Sequence, residues 1–402
     1  MPVLFDNFSN LFQEGLSGRN KGLPTGFNRL EKILNGIHKA RYYTLFAESG
    51  VGKSSYAWNV FALNPLDYMI THNLKIDKDA NLTEEQKKAR KIKIVVKLYS
   101  LEVIAEEVIA KLICLKIYKD YGLIVSPDYI LNRIEGFKVS ATMQALIMSY
   151  KSYFEFLESK GFLEIIDVPK TPSEIKRDVT NYAKANGTFY KNEKGEERYK
   201  PNNPNEYVLI ITDTVGNLVN ESVDGKTSVK TTIDLHSANC RYYYRDCLRY
   251  TPINISHSNR SMSDISRSKL GEVFPKLSDI KETNMLEQDS SVVMTLFNPM
   301  GHIATCKALE KFMDYDILKL KENFRCIGIL KNRHGQVNKR VGLLYVGACA
   351  HFEELPKATE MTGLDYARIL NLREAMYMKD EEVLNVIKIK NQTLYNTIIA
   401  NK

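Results

Sequence analysis

The chain has few of the features that mark a secreted, membrane-bound or metal-stapled protein. Its six cysteines, at positions 114, 240, 247, 306, 326 and 349, include no C-x-x-C pair and no zinc-finger spacing. That usage suits a reducing compartment. The seven histidines are scattered, with no H-x-x-x-H on a helical face, so no structural metal is indicated. No run approaches 18 apolar residues and no charged-then-apolar leader is visible, which argues against membrane spanning and secretion. Internal repeats and low-complexity tracts are also missing. What remains is 402 residues, 44% of them hydrophobic, enough for one large α/β domain with additions or for two domains. The net charge of +8 admits a polyanionic partner, and equally a lysine-rich solvated surface.

One segment carries most of the chemistry. Ala47-Glu48-Ser49-Gly50-Val51-Gly52-Lys53-Ser54 reads A-x-x-x-x-G-K-S, the phosphate-binding loop pattern with alanine in place of the first glycine. Gly50 and Gly52 let the backbone wrap a polyphosphate with its N–H groups aimed at the oxygens. Lys53 then reaches the β- and γ-phosphates, and the Ser54 hydroxyl helps hold Mg²⁺. Tyr42 to Phe46 is aromatic and β-branched like a short buried strand, and Ser54 to Leu63 reads as a helix. Strand, loop and helix N-terminus are what anion binding needs. The chain is expected to bind ATP with Mg²⁺ through Glu48, Ser49, Gly50, Val51, Gly52, Lys53, Ser54 and Ser55.

Strands are expected at 94–99, 162–167, 207–213, 252–256, 292–297, 326–331 and 341–346. Helices are expected at 8–16, 28–34 and 172–185, with a helical region up to about Leu157. Their alternation predicts an α/β core with a mainly parallel sheet flanked by helices. Residues 1–21 read as an arm, 22–356 as the main domain and 357–402 as a helical, polar appendage. Residues 64–93 read as a surface excursion rather than a functional basic patch, with a helix start at Thr83. Residues 187–206 read as an inserted hairpin or flexible loop. Asp213 closes an apolar strand as a Walker B acid does, where it can orient the hydration shell of Mg²⁺. Glu102, just past another strand, opens to the same sheet edge as the loop and can polarise an attacking water.

Several blocks then resemble the replicative DnaB-type helicases. They are Gly22-Leu23-Pro24-Thr25-Gly26-Phe27, Ser100-Leu101-Glu102, Thr171-Pro172-Ser173-Glu174-Ile175, Ser256-His257-Ser258-Asn259-Arg260-Ser261 and Leu277-Ser278-Asp279-Ile280-Lys281-Glu282. Leu286-Glu287-Gln288-Asp289-Ser290-Ser291, Lys331-Asn332-Arg333-His334-Gly335 and Phe352-Glu353-Glu354-Leu355 follow in the same order. The resemblance covers about residues 22–355 and is to the family's C-terminal RecA-like P-loop motor domain alone.

That resemblance implies a ring, of hexamer type, that moves on single-stranded DNA. Lys53 and Ser54 would hold phosphate and metal, Asp213 would be the Walker B acid and Glu102 the base. Lys331 and Arg333 match the K-x-R pair that acts on a neighbouring subunit's γ-phosphate. Three departures matter. His257 stands where the family has a glutamine that senses the γ-phosphate. Val273 and Phe274 replace basic residues of the DNA-facing loop, leaving Arg267, Lys269 and Lys276 as the candidates for phosphate contacts. The family's N-terminal helical domain, which engages primase, has no counterpart in the leading residues; the arm, through Leu11, Phe12 and Leu16, would pack on the adjacent subunit. Other replication proteins are expected partners. The reduced layout resembles a phage or plasmid protein, and the expected location is the cytoplasm, that of the host in the phage case. A second reading stays open: a RecA-like, DNA-stimulated ATPase without unwinding activity, acting as a recombination mediator or regulatory ring.

Overall fold

A computed structural model describes residues 3–16, 21–222, 225, 227–259, 267 and 271–400. Its centre is a sheet built from short segments rich in β-branched and aromatic residues. The strands are β1 (Tyr43–Ala47), β2 (Lys93–Ser100), β3 (Leu163–Ile166), β4 (Gly187–Lys191), β5 (Glu197–Pro201), β6 (Glu206–Asp213) and β7 (Thr251–His257). They continue with β8 (Val292–Phe297), β9 (Lys311–Phe312), β10 (Tyr315–Asp316), β11 (Phe324–Asn332), β12 (Lys339–Val346) and β13 (His351–Glu354). Nine of them form one sheet in the order β13-β12-β11-β8-β1-β7-β6-β2-β3. The pairings from β8 to β3 are parallel, and those of β11, β12 and β13 are antiparallel. The fold is therefore the expected α/β one, a large mixed sheet with a mainly parallel half.

Side chains of successive strand residues point to opposite faces, so each strand feeds two cores. Tyr43, Leu45 and Ala47 pack on one face with Val96 and Leu98 of β2 and with Leu209 and Ile211 of β6. Tyr42 and Phe46 pack on the other with Val95, Tyr99, Val208 and Ile210, beneath helices Pro172–Asn186 and Val229–Ala238. Thr171 caps the first of these helices, accepting from the Glu174 N–H while the Glu174 carboxylate accepts from the Thr171 N–H.

Residues 64–93 differ from the expected surface excursion in their first half. The helix that begins at Lys53 continues through a π-helical stretch at 58–63 into Asn64–Lys78, and buries Pro65, Leu66, Met69 and Ile76. The apolar residues at these spacings form a stripe that the many lysines and aspartates around it conceal. The exposed part is the short helix Glu84–Arg90, started by a Thr83–Gln86 capping box. Residues 187–201 form the antiparallel hairpin β4–β5.

The C-terminal segment, helical as expected, is bound into the fold by an apolar face. Ile369, Ala375, Val383, Ile387 and Ile398 join a core with Tyr121, Leu146, Leu320 and Phe324. The Ala375 N–H donates to Ile124 O at 2.7 Å, and Asp380 accepts from Ser140 Oγ and Thr142 Oγ1, both at 2.6 Å. The arm is a helix from Val3 to Leu16, starting earlier than expected, with Phe5, Phe8, Phe12 and Leu16 exposed. The Leu11 side chain lies outside the described ones. All six cysteines are free and buried, and among the described residues no helix is long and apolar enough to cross a membrane.

Candidate phosphate-binding and hydrolytic site

The C-terminal ends of the parallel strands make one crevice, and β1 delivers the loop into it. Gly50 (φ 76°) and Gly52 (φ 103°) hold left-handed conformations that a side chain would strain. At Gly52 the space is closed as well: a Cβ there would lie 3.1 Å from the rings of both Tyr345 and Phe352. Lys53 opens the following helix and is 6% exposed, with Nζ donating to Glu48 O at 2.8 Å. Burial lowers its pKa to about 8, against the opposing pull of Asp213, Glu102 and Glu48. The Glu48 carboxylate lies 2.7 Å from His302 Nε2, on the turn after β8.

Ser54 Oγ donates to Asp213 Oδ1 at 3.0 Å, joining the loop to the last residue of β6. Burial raises the Asp213 carboxyl to about 6; Glu102 adds to this, while Ser54 and Lys53 oppose it. Ser100 of β2 pairs with Asp213, and the Leu101 N–H donates to Asp213 O at 2.7 Å, so Glu102 emerges beside that acid. Glu102 is exposed, and its charge acts on Lys53, Asp213 and His257. His257 ends β7 opposite Ala47, with Nδ1 3.3 Å from Ser49 Oγ. Burial lowers its pKa and so do Lys53 and Lys281, with Glu102 opposing. The structure thus brings Glu48, Ser49, Lys53, Ser54, Glu102, Asp213 and His257 to one edge. Ser55 faces a cavity of about 460 Å³ shared with Glu107, Lys111, Arg133 and Tyr345.

Among the described residues no group of three or more His, Cys, Asp or Glu side chains forms a metal cage. The hydroxyl–carboxylate pair of Ser54 and Asp213 does fit Mg²⁺, which keeps several waters and takes one or two protein oxygens beside phosphate oxygens.

Lys331 and Arg333 lie elsewhere. Strand β11 runs against β8, so Lys331 pairs with Val293, and Val292 and Val293 pair with Tyr43 and Thr44 at the start of β1. The loop begins after the far end of β1, five residues and roughly 17 Å away. Lys331 Nζ donates to the carbonyls of Glu287 and Gln288, and Arg333 NH2 donates to Gln288 O at 2.6 Å. Burial and then Arg333 lower the Lys331 pKa. Neither cation reaches the phosphate loop of its own chain.

Of the three basic residues expected to meet DNA, Lys269 lies outside the described residues. The Arg267 guanidinium is occupied within the chain: NH1 and NH2 donate to Asp279 at 2.8 and 3.1 Å, and Nε to Glu272 O at 3.2 Å. A bidentate pair to a carboxylate only 3% exposed holds this arginine in place, so it braces the loop rather than offering its charge outward. Lys276 is exposed and pairs with Glu272 four residues before it. Val273 is buried, and the Phe274 ring centre lies 3.8 Å from the Arg340 guanidinium. Sequence reasoning missed Arg325, His302 and Asp279 as neighbours of these sites. No motif marks them, because their partners are hundreds of residues away or depend on one loop conformation.

No protein-family model and no curated protein sequence matches this chain. Solved structures do. A helicase ATPase domain is similar over 89% of this chain and 100% of its own, with a TM-score of 0.59 at 18% identity. A DnaB-like replicative helicase, described together with its interactions with primase, matches 87% of this chain with a TM-score of 0.60 at 18% identity. The chain spans 66% of that helicase's length. A KaiC-like protein of Pyrococcus horikoshii OT3 matches with a TM-score of 0.42 at 12% identity. The fold is the RecA-like one of DnaB-like helicase ATPase domains.

Proposed function

We propose that this chain is the motor of an ATP-driven, ring-forming DNA helicase that moves along single-stranded DNA during replication. The observation that carries this reading is the division of the candidate residues between two edges of one sheet. Loop, Walker B acid and base share one edge, while Lys331 and Arg333 sit at the other, beyond reach of their own loop. A site completed by a neighbour's cations needs a head-to-tail interface, which closes into a ring, here of hexamer type, or runs on as a helix.

In this mechanism Lys53 and the loop N–H groups bind the β- and γ-phosphates, and the cavity beside Ser55 takes base and ribose. Mg²⁺ held by Ser54 and Asp213 would neutralise charge on the phosphate oxygens. Glu102 accepts the proton of the attacking water, for which its exposure leaves room. A neighbour's Arg333, with Lys331, stabilises the charge of the transferring phosphoryl group. His257, bonded to Ser49, would report the γ-phosphate to the segment that follows β7 and meets DNA. Lys276, with Lys269, supplies phosphate contacts there. The exposed Phe5, Phe8, Phe12 and Leu16 of the arm suit packing on an adjacent subunit. Other replication proteins in the cytoplasm, of the host for a phage protein, would be its partners.

A second reading, a DNA-stimulated RecA-like ATPase that does not unwind, is favoured by the Arg267–Asp279 pair, which withdraws one expected DNA contact. The test is ATP turnover with and without single-stranded DNA, followed by unwinding of a forked duplex. Turnover stimulated by single strands, lost in Glu102→Gln although that variant still binds nucleotide, supports the ATPase. Stimulated turnover with no unwinding under any loading condition supports the second reading, and no turnover at all defeats both.

A further inference from the structure

Arg325 is a buried cation that the chemistry above does not use. It lies in β11, on the antiparallel half of the sheet, and is 4% exposed. Its Nε donates to Val51 O, inside the phosphate loop, at 2.9 Å. Its NH1 donates to Glu322 O and Phe324 O, both at 2.8 Å, and NH2 is 3.7 Å from the Glu322 carboxylate. The guanidinium lies 4.9 Å from the centre of the Tyr345 ring, which stacks on Phe352 at 4.5 Å. Those two rings are the ones that close the space around Gly52. A cavity of about 440 Å³, bordered by Glu48, Gly50, Val51, His302 and Arg325, lies alongside. Burial lowers the pKa, with Glu322 and Tyr345 opposing, but a guanidinium stays charged in any ordinary buffer.

The geometry has a direct consequence for anion binding. In a planar trans peptide the carbonyl of one residue and the N–H of the next point in opposite directions. Holding Val51 O toward Arg325 therefore aims the Gly52 N–H away from Arg325, into the hollow of the loop. Left alone, a loop with glycines at 50 and 52 samples many peptide orientations, and each binding event must select the productive one.

We propose that Arg325 is a positioning residue of the triphosphate site: it fixes the Val51–Gly52 peptide so that the Gly52 N–H faces the phosphates, and it places a positive charge behind the loop. The proposal rests on the nucleotide reading given above. Lysine at this position keeps the charge but has no planar fork with which to hold Val51, Glu322 and Phe324 together. Glutamine removes the charge and keeps a donor.

The test measures binding of a fluorescent ATP analogue with Mg²⁺, and KM and kcat for ATP, in wild type, Arg325→Lys and Arg325→Gln. Arg325→Gln is expected to raise both Kd and KM about tenfold and to leave kcat within about twofold, because a charge-assisted bond is lost from binding alone. Arg325→Lys recovers part of the affinity. A melting temperature that falls with Kd and KM unchanged means a purely structural role and overturns the proposal. A fall in kcat at constant KM overturns it too. Where the glutamine variant does not fold, the lysine variant decides the question on its own, with an expected rise of about threefold in Kd. Failure of the wild type to bind the analogue counts against the nucleotide reading itself, whereas equal binding by wild type and variants counts against Arg325 alone.

Discussion

Arg333→Ala and Lys53→Ala damage the same reaction from opposite edges of the sheet, and their mixture has a calculable activity. Lys53→Ala removes the cation on the β- and γ-phosphates, so its own site is dead whatever its neighbour supplies. Arg333→Ala keeps an intact loop, since Arg333 contacts Gln288 O and lies roughly 17 Å of strand from that loop. It fails because the neighbour's site loses a cation whose removal costs about 10³–10⁵ in rate. In a mixed ring an interface is active only where an Arg333→Ala subunit offers its loop to a Lys53→Ala subunit's finger. With fraction p of one variant, such pairs number p(1 − p), which peaks at about one quarter of interfaces at equal mixing if subunits assemble at random. The assay titrates one variant into the other at fixed total protein and follows phosphate release, with co-assembly verified by differential tags. A bell-shaped recovery centred on equal mixing is the expected result. A flat baseline despite co-assembly would refute a site shared between subunits, and full activity of Arg333→Ala alone would remove the finger.

Three further outcomes are expected. The Lys53 pKa of about 8 in the empty site means that above pH 8 an incoming triphosphate must draw a proton onto the amine, so affinity holds below pH 8 and falls by up to about tenfold per unit above it; calorimetry at pH 8.5 in two buffers of different ionisation enthalpy should detect proton uptake, and its absence defeats the argument. His236 is fully buried and neutral with its pKa lowered to about 4, so the unfolded chain binds the proton first as pH falls. Its share of stability is complete above about 6.5 and is lost toward pH 4 at about 1.4 kcal/mol per unit; urea midpoints at pH 7 and 5 should converge more closely in His236→Gln than in wild type. Gly52→Ala places a Cβ against Tyr345 and Phe352 at φ 103° and should cost about 1–3 kcal/mol as well as nucleotide binding; a variant as stable as wild type would show that the loop tolerates a side chain.

The mainly parallel half of the fold was legible because its strands are continuous apolar runs and its helices begin at clear caps, as at Thr171 and Thr83. The loop was legible for a different reason: its function demands fixed residue types at fixed spacing within eight residues. What escaped depends on partners that only folding supplies. The antiparallel course of β11, which takes Lys331 and Arg333 to the far edge, leaves no trace in composition or periodicity. The Arg267–Asp279 pair is likewise unmarked, and a basic residue in a loop looks the same whether it faces solvent or a buried carboxylate. The stripe Leu66, Met69 and Ile76 was hidden by its charged neighbours, and the buried Val383 and Ile387 by an otherwise polar tail.

The hydrogen bonds from Ser140 and Thr142 to Asp380 close loops of 240 and 238 residues. Until the segment containing Asp380 has been made, the stretch around residues 122–150 has no lid, and its apolar side chains, Met143 and Leu146 among them, wait uncovered. During synthesis at roughly 5–20 residues per second this interval lasts on the order of ten seconds or more. A core sealed last by contacts so distant in sequence folds slowly, since the entropy of bringing its ends together precedes any gain from packing. The newly made chain therefore carries a sticky surface through most of its birth, and its yield in a cell will depend on how fast translation passes residue 380 as much as on the stability of the finished molecule.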